Sequence, residues 1–148
     1  MKRVLIVYYS LTGLTGKMAE YIGEGVRISG HEAAVKKTAD IATREDIQGF
    51  DGYIFGSPTH HRDMAKQMKE FLLVPRREDL KSKLGGSFGS YTHDGNAPAI
   101  IFETMEHVFK MKPLGLGPFN LLETIMETDE GLRACQDYGK VFGEELDK

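Results

Sequence analysis

The sequence has no tryptophan, one cysteine and 5 prolines in 148 residues. A lone cysteine, Cys135, excludes an internal disulfide and a thiolate metal cage, and a reducing, cytoplasmic setting is the expectation. Long hydrophobic runs are missing too. The N-terminal run Val4 to Tyr9 is far short of a membrane span. It follows Met1-Lys2-Arg3 without a small-residue cleavage site behind it, so no signal peptide is expected. There is no excess of positive charge: 19 Lys and Arg stand against 22 Asp and Glu, net −3, which argues against a nucleic-acid partner. Repeats, low-complexity stretches and linkers are also absent. What remains, 41% hydrophobic and 28% charged, is an ordinary globular balance, expected to form a single domain over residues 1–148.

Strands and helices alternate in the pattern. Val4 to Tyr9 is continuously apolar and rich in β-formers, as suits a strand covered on both faces. Met18, Ile22 and Val26 then recur at every fourth position, one apolar helix face that Gly30 stops. Glu32 to Lys37 reads as an edge strand, Thr43 to Ile47 as a short helix capped by Thr43, and Gly52 to Gly56 as the third strand. Asp63 is expected to cap a helix carrying Met64, Met68, Phe71 and Leu72, ended by Pro75. Leu84 to Ser90 is a Gly-rich fourth strand. Ala97 to Phe109 is a helix with Ile101, Met105 and Val108 on one side. Leu114 to Leu122, with Gly115, Gly117 and Pro118, is ambiguous and predicts an interrupted or late fifth strand. Asp129 is expected to cap a final helix bearing Leu132, Cys135, Phe142 and Leu146. Five strands alternating with helices predict an open parallel sheet with right-handed crossovers. Ligands in such folds bind beyond the carboxyl ends of the strands, which points to residues 10–15, 57–63 and 90–96.

The first of these loops reads Ser10-x-Thr12-Gly13-x-Thr15. Three hydroxyls and a glycine between a buried strand and a helix suit a phosphate, because unpaired amides at a helix start attract an anion. Other phosphate loops fit poorly. Gly13 and Gly16 are too close for a Walker A loop, and Lys17 is followed by Met18. The Gly-x-Gly-x-x-Gly fingerprint is missing, and the acidic residues of a receiver domain are replaced by Tyr9-Ser10 and Gly56-Ser57. An ordinary cap and turn uses the same residue types and stays open as a reading.

With these residues the chain resembles the flavodoxin family, whose phosphate signature Ser/Thr-x-Thr-Gly-x-Thr is matched by Ser10 to Thr15. Gly56-Ser57-Pro58-Thr59 resembles the corresponding segment of flavodoxin-like quinone reductases and flavodiiron flavodoxin domains. Gly89-Ser90-Tyr91 with Asp94-Gly95 resembles their fourth-strand loop. The resemblance extends over essentially the whole chain. It implies a three-layer α/β sandwich with a five-stranded parallel sheet in the order 2-1-3-4-5, and FMN held without a covalent bond. Its phosphate would meet Ser10, Leu11, Thr12, Gly13, Leu14 and Thr15. Its ring would lie between Ser57, Pro58, Thr59, His60 and His61 on one side and Ser90, Tyr91, Thr92, His93, Asp94 and Gly95 on the other. Tyr91, His60 or His93 could offer a stacking face. A metal site is not expected: His60 and His61 are adjacent, and His93, His107 and Asp63 complete no ligand spacing. The histidines either line the flavin pocket or are simply exposed.

Two features depart from the family. No glycine occurs from Ser57 to Met64, where flavodoxins turn a glycine peptide on reduction, which argues against one-electron specialisation. His60 to Lys83 carries seven basic residues (Arg62, Lys66, Lys69, Arg76, Arg77, Lys81, Lys83) against four acidic, giving +3. Glu123 to Lys148 carries eight acidic against three basic, giving −5. A basic patch near the flavin would make its fully reduced state easier to reach than in an acidic flavodoxin, and Arg62, Arg76 and Arg77 could meet an acidic partner or a nicotinamide phosphate. Three functions follow: an FMN electron carrier between redox proteins, monomeric or weakly oligomeric; an FMN enzyme passing hydride from NAD(P)H to a quinone or similar acceptor; or a module without flavin on the same fold. No compelling catalytic acid, base or nucleophile stands out, which suits the carrier. Cys135 reads as packing.

Overall fold

The computed structural model describes all 148 residues. Strand β1 (Arg3–Tyr8) leads into helix α1 (Leu14–Ile28), β2 (Glu32–Lys37) and, past two 3-10 turns at Thr38–Asp40 and Arg44–Asp46, into β3 (Gly52–Gly56). A small hairpin, β4 (Thr59–His60) and β5 (Asp63–Met64), precedes α2 (Lys66–Phe71) and α3 (Arg77–Leu80). Then come β6 (Leu84–Tyr91), α4 (Ala97–His107), β7 (Lys112–Pro113), β8 (Phe119–Leu122), α5 (Glu123–Met126) and α6 (Asp129–Glu145).

The main sheet is parallel, in the order β2-β1-β3-β6, with β7 and β8 both on the free edge of β6. Alternation along β1 separates the two faces. Val4, Ile6 and Tyr8 pack with Met18, Ile22 and Val26 of α1 and with Cys135 and Phe142 of α6. Leu5 and Val7 pack instead with Met68 of α2 and Ile101 and Met105 of α4. Cys135 is fully buried, and burial pushes its thiol up to about 12, as a packing residue's would be.

The fifth strand position is filled in two pieces. β7 pairs β6 at Leu84 and Gly85, β8 pairs it from Phe88 to Tyr91, and Leu114–Pro118 bulges out between them. Gly117 is left-handed there (φ 77°), and Pro118 has no amide to offer a ladder. The gap leaves Ser87, paired with Phe55 of β3 on one side, without a strand on its other side. Tyr138 of α6 bridges it: its hydroxyl accepts from the Ser87 amide (3.2 Å) and donates to the Gly117 carbonyl (2.9 Å), while its ring stacks on Phe119.

Several expected boundaries shift. Asp63 does not cap a helix; it lies in β5, accepting from the Met64 amide and pairing with Lys69, and α2 begins only at Lys66. The hairpin consumes the residues the helix would have used. Thr128, not Asp129, caps α6, its hydroxyl accepting from the Gly131 amide (3.1 Å). Val108 is 53% exposed while Phe109 is buried, because α4 ends at His107 and the chain turns. Thr43–Ile47 forms only a 3-10 turn, with Asp46 accepting from the Thr43 and Ala42 amides.

Candidate functional site

All three loops singled out in the sequence stand at the carboxyl end of the sheet, after β1, β3 and β6. The first is a cradle of backbone. Ser10 Oγ accepts from the Gly13 amide (3.0 Å), and Gly13, at φ 95°, turns the chain into α1. That left-handed value favours glycine, and no atom lies within 4 Å of where a Cβ would point, so the turn is open to the outside. The first intrahelical bond runs from the Lys17 amide to the Gly13 carbonyl (3.0 Å). The amides of Leu14, Thr15 and Gly16 lie before it and have no helical partner. Leu11 and Thr12 are exposed at the rim. Thr15 is turned inward, and its hydroxyl bonds that of Ser90 on β6 (3.0 Å), both buried.

The second loop is built for shape. Ser57 is completely buried, its hydroxyl donating to the Pro58 carbonyl (2.8 Å) and accepting from the Ala65 amide (2.9 Å). Pro58 is buried as well. Thr59 Oγ1 accepts from the Ala97 amide at the start of α4 (3.0 Å). His60 is half-buried and meets Tyr9 edge-on, ring centroids 6.5 Å apart. His61 and Arg62 form the hairpin tip, both left-handed at φ 51° and 66° without being glycine. The strain is held from outside: Asn96 Nδ2 donates to the Arg62 carbonyl (3.3 Å), and Arg62 pairs with Asp94 (3.6 Å).

Along the third loop Ser90 is buried, Tyr91 half-buried, and Thr92, His93 and Asp94 exposed. The Gly95 carbonyl accepts from Asn120 Nδ2 of β8 (2.6 Å). The loops are therefore cross-braced, the first to the third by Thr15–Ser90, the second to the third by Thr59–Ala97 and Asn96–Arg62. Asn96, just before a helix, carries a sequence signal for a loop end; Asn120 sits in the interrupted strand and carries none.

The charge picture differs from the one expected. Arg77 donates to the Val108 carbonyl at the far end of α4, and Lys81 and Lys83 lead into the start of β6. These and the neighbouring Arg76 stand at the opposite end of the sheet from the loops. Of the seven cations in that segment, only Arg62, Lys66 and Lys69 stand near the site, paired with Asp94, Glu70 and Asp63. The hairpin side is neutral, not a basic patch. Glu123, Glu127, Asp129 and Glu130 follow β8 and lie at the loop end.

A groove of about 740 Å³ opens on the other side of the cradle, between the first turns of α1, the Lys37–Ile41 segment and α2. Tyr9, Ser10 and Gly13 line it; none of residues 57–61 or 90–95 does. Tyr8 borders it, its phenol raised above the usual range by burial and by Glu20 and Asp40. No three His, Cys, Asp or Glu side chains stand close enough together to hold a metal ion.

Free amides and neutral hydroxyls around an open, glycine-turned helix start suit a phosphate. The two braced loops beside them carry the half-buried aromatic side chains Tyr91 and His60. The donor set thus fits FMN. Order of strands and placement of the cradle define a flavodoxin-like α/β protein. Residues 5–116 match the family model of the flavodoxin domain, and the chain belongs to that family. It is 30% identical over 122 residues to an NAD(P)H dehydrogenase (quinone) of Archaeoglobus fulgidus, covering 66% of this chain and 64% of that protein. It is 32% identical over 88 residues to a flavodoxin of Clostridium saccharobutylicum, covering 60% and 55%. The matched part is thus less than two thirds of either relative. A solved flavodoxin from the domain Archaea superposes with a TM-score of 0.87 at 25% identity, over 99% of both chains.

Proposed function

We propose that the chain binds FMN non-covalently and carries electrons between redox proteins. The carrying observation is the cradle: free amides of Leu14, Thr15 and Gly16 behind a left-handed Gly13, with Ser10 holding the turn. Bound FMN would supply the redox chemistry. The protein's part is to grip the phosphate through uncharged donors, to hold the ring between the Pro58–His61 and Tyr91–Gly95 segments, and to leave an edge open to a partner. No nucleophile or general acid is needed. Titration of cofactor-free protein with FMN and with riboflavin tests this. Riboflavin, lacking the phosphate, is expected to bind about 100-fold more weakly, the equivalent of one or two charge-assisted hydrogen bonds. Equal affinity for both, or no binding of either, overturns the reading.

A second reading, an oxidoreductase passing hydride from NAD(P)H to a quinone-like acceptor, is favoured by one observation. A relative 30% identical over 122 residues is an NAD(P)H dehydrogenase (quinone). NAD(P)H added without oxygen separates the two. Prompt bleaching of the flavin supports the enzyme; bleaching only by a reduced partner protein supports the carrier.

A further inference from the structure

Asn120 has no role in the reading above. It sits on β8 opposite Gly89, in the piece of edge strand that pairs only the last turns of β6. Its amide nitrogen donates to the Gly95 carbonyl at 2.6 Å, the one side-chain bond reaching that carbonyl. Its carbonyl oxygen is buried with no donor. Fit around it is tight: a Cβ on Gly95 would be driven into Asn120 Nδ2 and would stand 3.2 Å from the Tyr91 ring. Asn120, Gly95 and Tyr91 thus form one packed stack under the third loop, whose intervening residues Thr92, His93 and Asp94 are exposed.

We infer that Asn120 is a positioning residue for the flavin, acting through Gly95 to fix the Tyr91 ring as one wall of the ring slot. The reasoning is geometric. Tyr91 is the last residue of β6, paired with Leu122 of β8, and is only half-buried, so part of its side chain stands clear of the sheet. Gly95 packs on it from the far side of the loop, and Asn120 alone ties Gly95 to the sheet. An amide is needed for this, because an ionised carboxylate of the same shape would face the Gly95 carbonyl with no hydrogen to give. The buried, unpaired oxygen makes the side chain costly to keep for stability alone, which is the pattern of a residue retained for placement.

The inference rests on the FMN reading, and its test keeps the two apart. Hydrogen exchange is measured first on cofactor-free protein. Asn120→Ala is expected to speed exchange of amides 91–96 while leaving 10–15 and 57–63 unchanged. FMN is then titrated into wild type, Asn120→Ala, Asn120→Asp and Asn120→Ala in a Tyr91→Ala background. Asn120→Ala is expected to weaken FMN about 10-fold, one buried hydrogen bond's worth, and to restore fluorescence to bound flavin that Tyr91 quenches. Asn120→Asp should bind as poorly at pH 8 and recover as acid protonates the carboxyl and restores a donor. In the Tyr91→Ala background the substitution should have no further effect on affinity. Unchanged exchange in Asn120→Ala overturns the inference. So does faster exchange with wild-type FMN affinity, or an equal loss with and without Tyr91. Wild type that binds no FMN overturns the functional reading instead, while the exchange result still decides whether Asn120 holds the loop.

Discussion

The tip of the β4–β5 hairpin shows how a residue's own conformational preference is overridden. His61 and Arg62 occupy the left-handed region, which costs a residue with a Cβ about 1 kcal/mol. Two-residue hairpin turns of this kind normally use Asn-Gly. Here the antiparallel pairs Thr59–Met64 and His60–Asp63 and the Asn96 bond to the Arg62 carbonyl impose the shape instead. Arg62→Gly keeps that carbonyl and gives up only an exposed pair with Asp94. It is expected to stabilise the protein by about 0.5–1 kcal/mol in urea unfolding, through relief of the strain. A drop in stability would show that the Arg62 side chain, not its backbone, holds the tip. The lack of glycine between Ser57 and Met64 was visible in the sequence; that the chain turns left-handed there regardless was not, because the braces come from Asp94 and Asn96, some thirty residues on.

At the scale of elements, two joints carry unusual weight. The broken edge strand depends on the Tyr138 hydroxyl, which serves Ser87 on one side and Gly117 on the other. Tyr138→Phe leaves a buried amide and a carbonyl without their partner. A loss of about 1–3 kcal/mol is expected, read as a lower urea midpoint with unchanged slope. The second joint fastens α3 to the Arg44–Asp46 turn. Asp79 is nearly buried, bonded twice by Arg44 and also by Gln48 and the Arg76 amide. The Arg44 guanidinium beside it holds its carboxyl well below the usual carboxylate range. A depressed folded pKa stabilises the protein above the ordinary carboxylate range, and that contribution is lost as pH falls through the folded value. Asp79→Asn should therefore lower the melting temperature at pH 7 and narrow the gap to wild type as the pH drops below about 4. A gap that stays constant down to pH 2 would remove the pair from the acid limb.

For the whole molecule, the question is where charge stands relative to the cradle. The sequence segment His60 to Lys83 reads as basic, yet its chain runs from the loop end of the sheet down to the other end. Four of its seven cations go with it, and the remaining three are matched by carboxylates. FMN affinity should then rest on neutral donors rather than on a positive field. Raising NaCl from 50 to 500 mM is expected to change the FMN dissociation constant by no more than about threefold, since screening acts on charge pairs and not on buried amide contacts. A loss of tenfold or more would mean that Lys17 or another cation grips the phosphate directly. No helix is long and apolar enough to cross a membrane.

Local pattern was enough to determine the alternating strands and helices and the residue types of the first loop, because each depends on short-range periodicity or on residue types within six positions; for the fifth strand it left an interrupted and a late strand both open. Loop order followed from strand order in the same way. Tertiary structure alone decided how the loops are held: Thr15 turned toward Ser90, Thr59 toward Ala97, Asn120 under Gly95. It also decided which cations reach the site and that Tyr138 fills a gap in the sheet. These are contacts between residues 25 to 75 positions apart. A hydroxyl, an amide or a lysine has no periodicity to betray its partner, so only the folded chain can show which one it meets.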